Sequence, residues 1–178
     1  MDFPAGGVSR CVRGMGTLNR SPMSATTTIE YGDRSFWSYD LARSVLLAEV
    51  IMAARGTTGP EPDRWADGVL DDLAACAQIS DFALAIDPAW GRQRLRTFTG
   101  WLEQANRSLG TRAAVGPEEA AHWPLEHFEW RGADAVPTAS VISLGSAVIR
   151  LIRGTLLAEP PGKVWCYGLA SEPALLPR

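Results

Sequence analysis

His122 and His127 are the only imidazoles in the chain, and both lie in one run, His-Trp-Pro-Leu-Glu-His-Phe-Glu-Trp. An imidazole titrates near neutral pH and can serve as acid, base or metal ligand. Proton-transfer or zinc chemistry would therefore start here. A zinc-binding helix sets its two histidines four residues apart on one face. In this run the spacing is five and Pro124 interrupts the helix. Extended backbone would still let His127 act with Glu126 or Glu129, the combination expected of a hydrolase-type catalyst. The simpler reading is a pair of histidines that are solvated or hydrogen-bonded for structure.

Carboxylates give a second candidate. Asp67 and Asp71 lie four residues apart on one flank of a helical stretch, with Asp63 before them and Asp72 on the other flank. Such a pair holds a divalent cation when a second helix completes the shell; otherwise it is a solvated surface. No Gly-x-Ser-x-Gly elbow, phosphate loop, dinucleotide fingerprint or calcium-loop spacing occurs, so no nucleophile is assigned and no cofactor is expected. Cys11, Cys76 and Cys166 contain no Cys-x-x-Cys pair. That spacing suits neither a zinc knuckle nor a redox pair. All three are expected as buried thiols in a reducing cytoplasm.

Seven tryptophans are the most informative residues. Trp65 and Trp101 fall on the margins of helical seams, and Trp90 and Trp123 adjoin turns. Half-exposed rings give contact area at small entropic cost and are enriched at partner-binding surfaces. Trp65, Trp90, Trp101, His122, Trp123, His127 and Trp130 are the expected contact set. The competing reading is that the rings close the edges of the core.

Charge narrows the partner. The net charge is −3 and the pI is about 5.4, a balance that disfavours gripping a polyanion. Of Arg92, Arg94 and Arg96, the best basic stripe, only two share a helix face, so no nucleic-acid partner is expected. No apolar run reaches the roughly 18 residues of a membrane span. Sixteen of the seventeen basic residues are arginine, a bias that fits GC-rich codons and a bacterial source.

The elements that must position these residues follow from periodicity. Leu41, Val45, Ala48 and Met52 make one helical seam, and Leu46, Leu47, Val50 and Ile51 widen it until most of the circumference must be covered. Residues 39–55 therefore form a central helix, stopped at Gly56. A second helix covers 64–78. Asp87-Pro88 starts a third, which runs to Leu109 on Leu95, Phe98, Leu102 and Ala105. A short helix is expected over 117–123. The last, 139–153, is capped by Thr138 and carries Gly145, a costly residue in a helix unless another helix comes close. Extended pieces are expected over 26–38 with a turn at Gly32-Asp33, and over 79–86, 127–131 and 163–168.

The fold class is α+β and predominantly helical, with about four main helices in one core and three or four short strands. Residues 1–25 read as a disordered leader or an over-extended start, 26–170 as one domain, and 171–178 as a loose tail. The expected function is that of a small cytoplasmic, non-enzymatic binding protein whose partner is another protein. Immunity proteins and accessory proteins of bacterial gene clusters exemplify that class, and self-association is compatible with it.

Overall fold

The computed structural model describes residues 11–13, 26–57, 64–79, 82–130 and 134–178. The fold is α+β. Strands β1 (Cys11–Arg13), β2 (Thr26–Tyr31), β3 (Arg34–Tyr39), β4 (Phe82–Ile86), β7 (Lys163–Tyr167) and β8 (Ala174–Pro177) form a mixed sheet in the order β1-β4-β2-β3-β7-β8. A two-residue ladder joins β5 (Ala114–Val115) to β6 (Val136–Pro137). The main helices are α1 (Asp40–Thr57), α2 (Arg64–Gln78), α3 (Gly91–Leu109) and α5 (Thr138–Ile152), with the short α4 (Pro117–Ala120) between α3 and α5.

The β2–β3 hairpin turns at Gly32-Asp33 as the sequence predicts. Gly32 has φ of 62° at the first turn position, a conformation that only glycine adopts freely. Its register sets Ile29 opposite Phe36, and the parallel β2–β4 pairing sets Ile29 beside Leu84. Three buried apolar side chains thus share one sheet face. Strands β1 and β8 occupy the two edges.

Helix α1 is central, as its all-round apolar pattern requires. Ala42, Val45 to Ala48, Val50, Ile51 and Ala54 are buried, and the helix packs on α2, α3 and α5. Helix α5 also reaches β2, β3 and β7, and α2 reaches β4. The close approach expected at Gly145 is present. A Cβ added there would lie 2.3 Å from Asn106 Oδ1 of α3.

Three charged residues of α1, Asp40, Arg43 and Glu49, are nevertheless sunk in this core. Arg43, 0% exposed, donates to the carbonyl oxygens of Cys76 (2.9 Å), Ile79 (3.1 Å) and Phe82, and pairs with Asp40 at 3.1 Å. Ser44 Oγ donates to Ala77 O at 2.7 Å. The last carbonyls of any helix lack intrahelical partners, and α2 carries no basic residue in its final turn. Helix α1 supplies that cation from outside. The third buried charge, Glu49, faces elsewhere.

Several expectations are corrected. Six strands build the sheet where three or four were expected, because edge pieces as short as β1 carry no periodic signal. Residues 11–13 of the expected leader form β1 against β4; the remainder of that leader, 1–10 and 14–25, lies outside the described residues. The expected loose tail contains β8, since Leu176 and Ala174 fall in register with Val164 and Cys166 of β7. Residues 127–130 are irregular and form no strand, because Phe128 and Trp130 both turn onto Trp123. Thr138 does not cap α5; its hydroxyl donates to Arg112 O at 2.5 Å and Ala113 O at 3.1 Å. Cys76 is disulfide-bonded. Disulfides persist in oxidising compartments, so the cysteines no longer argue for a reducing cytoplasm. Cys166 is a free buried thiol, as expected, and burial pushes its pKa up to about 11. No helix among the described residues is long and apolar enough to cross a membrane.

Candidate functional site

A cleft of about 460 Å³ opens between α1, the C-terminal half of α3, and the α4 segment. Each element contributes a face at helical spacing. Helix α1 presents Glu49, Met52, Ala53 and Gly56; α3 presents Gln104 and Ser108; Glu119, His122 and Trp123 come from α4 and the turn after it. Residues three and four apart on a helix are surface neighbours, so each helix lines the cleft with one stripe.

Arg112 links the three elements. It pairs with Glu49 on one side and with Glu119 at 2.8 Å on the other. Its position is fixed through the backbone: Thr138 holds its carbonyl oxygen, and the β5–β6 ladder begins two residues later. The side chains of Glu49, Arg112 and Glu119 are 2%, 26% and 38% exposed. Charge thus grades from a dry floor to a wet rim.

Burial pushes the Glu49 pKa up and dominates. The Arg112 charge opposes it, Ser108 and Arg112 hydrogen bonds also oppose it, and repulsion from Glu119 adds to the rise. His122 is exposed at the same rim, with Nδ1 2.9 Å from Glu118 O. A carbonyl oxygen can only accept, so Nδ1 carries a hydrogen, and in the neutral ring Nε2 is the acceptor.

The expected site residues divide among separate places. His122 and Trp123 reach the cleft; His127, Glu126 and Glu129 are exposed on the loop beyond it. Trp123 is buried and stands 5.0 Å from Phe128 and 6.3 Å from Trp130 between ring centres. A second aromatic cluster lies at the start of α2 and α3. There Trp65 stacks on Trp101 at 5.7 Å and meets Trp90 edge-on at 5.2 Å, with Arg94 5.5 Å above the Trp65 ring. Trp90 and Trp101 are buried and Trp65 is partly buried. Asp67 and Asp71 are exposed on α2. Among the described residues, no three His, Cys, Asp or Glu side chains converge as a metal site.

Glu49, Arg112 and Glu119 are absent from the sequence-based candidates. One signal was present for Glu49: a carboxylate in a helix whose remaining faces are apolar. Arg112 and Glu119 sit in turn-rich sequence, and only the fold joins them.

Comparison with protein-family models, curated proteins and solved structures finds no match to this chain.

Proposed function

We propose that the chain is a binding protein that docks a basic surface of another protein on the face formed by residues 117–130 and the adjoining cleft. One observation carries this reading. Buried Trp123 and Leu125, with half-buried Phe128 and Trp130, pin an irregular segment to the core while Glu118, Glu126 and Glu129 point outward. A charged loop held on aromatic anchors loses little conformational freedom when it binds. Its carboxylates would steer a basic partner and select against acidic ones. The acidic total charge acts in the same direction. Immunity-type neutralisation is one form of this activity.

The test is affinity capture from the native lysate, with the unmodified chain beside a Glu118→Lys/Glu126→Lys/Glu129→Lys variant. A basic protein retained by the first and lost by the second supports the reading. A monomer that captures nothing in either form overturns it. All three positions are exposed, so thermal unfolding of the variant should match the parent.

A further inference from the structure

We infer that the cleft between α1, α3 and α4 is a receptor pocket for one alkyl guanidinium group. This rests in part on the proposed binding face, whose partner it would supply with an arginine anchor. Its chemistry follows from which polar groups are already engaged. Arg112 Nη2 is turned to both Glu49 and Glu119, and its Nε, which makes no hydrogen bond, is buried away from the opening. The Nδ1–H of His122 is used on Glu118 O. An acceptor therefore remains at the opening in Glu119, whose carboxylate offers about four lone-pair sites, joined by Nε2 of His122 when its ring is neutral. A ligand that brings planar, charged donors fits this set, and an anion would meet carboxylates.

The walls select the rest of the ligand. Met52, Ala53 and Trp123 give an apolar strip along the cleft, suited to a methylene stem. A guanidinium is more weakly hydrated than an ammonium and matches a carboxylate in a two-bond fork. Gln104 Oε1 accepts from Arg107 at 2.7 and 3.2 Å, so its NH2 group is the free donor at the rim, suited to a carbonyl beside the stem. The volume is at the lower end of small-ligand pockets, enough for one long side chain.

The experiment uses the full chain and follows the Met52 methyl and Trp123 indole signals by NMR. The probes are N-acetyl-arginine amide, its uncharged isostere N-acetyl-citrulline amide, and N-acetyl-glutamate amide. Saturable shifts from the arginine probe alone are expected. Glu119→Gln should weaken binding about tenfold, and Ala53→Arg, which fills the cleft with a tethered guanidinium, should abolish it. Equal shifts from citrulline or glutamate, or none from arginine, would overturn the inference. The two readings separate cleanly. Capture of a partner that survives Glu119→Gln and Ala53→Arg removes the pocket and keeps the binding face. A cleft that takes the arginine probe while the lysate yields no partner keeps the pocket as a small-molecule site and removes the protein partner.

Discussion

Helix α1 buries charge on two sides, and the two surroundings differ. Toward α2 and β4, Arg43 is enclosed and meets three backbone carbonyls and Asp40. Toward α3 and α4, Glu49 meets Arg112 at the bottom of an open cleft. Taking a charge out of water costs several kcal/mol unless the new partners replace the lost hydration. On the Arg43 side the replacement is complete enough to close the core. On the Glu49 side the same cost is incurred at the floor of an open cleft. The contrast makes Arg43 a bolt between elements and leaves Glu49 lining a cleft.

The largest effect should come from Arg43→Ala. Removing the cation strands the carbonyls of Cys76, Ile79 and Phe82 and leaves the Asp40 carboxylate buried, a loss of about 3–5 kcal/mol. Equilibrium denaturant unfolding measures it. A change of less than about 1 kcal/mol would mean that the carbonyls find water instead, and the contrast would collapse. Arg112→Ala should cost less, about 2–3 kcal/mol. Arg112 is partly solvated, Glu119 can turn to water, and Glu49 can take up a proton. If the two variants were equally damaging, Arg112 would be a second bolt.

These two arginines also mark what was legible in the sequence. The central place of α1 was readable because its apolar residues cover every face, and the same pattern makes Arg43 and Glu49 conspicuous. Neither role is assignable from the sequence, because a charge inside an apolar helix shows no partner until another element arrives. The hairpin at Gly32-Asp33 was readable from turn chemistry. Sheet order was not, since β2 pairs with β4 and β3 with β7 across long stretches of chain. The alternation in 127–131 misled because the two rings it spaces both fold onto Trp123. His122 lines the cleft beside Glu119 of the adjoining α4, whereas Glu49 comes from a remote segment that only the fold brings there. Gly145 was readable through its cost, and Gly145→Ala tests that logic. The added methyl gains roughly 1 kcal/mol of helix propensity but drives into Asn106, so a net loss of about 1–2 kcal/mol is expected. A more stable variant would show that the α3–α5 contact yields easily.

The smallest effect, and the sharpest test of the Glu49 side, is the pH dependence of Glu49→Gln. The folded state raises the Glu49 pKa above its ordinary 4.5, so it holds this proton more tightly than the unfolded chain does. Between the two values the native state carries more protons, and unfolding free energy must fall as pH rises. The contribution is fully present below the unfolded value and lost as pH climbs through the folded one. Glutamine cannot titrate. The stability of the parent relative to Glu49→Gln should therefore be most favourable in acid, decline as pH rises above 4.5, and then level off. Paired denaturation curves from about pH 4 to about pH 8 cover the window. A difference that rises with pH would mean that Arg112 outweighs burial and that Glu49 is as fully compensated as Arg43. A decline shows a carboxylate held short of full compensation, as expected on the floor of a cleft built to receive another positive charge.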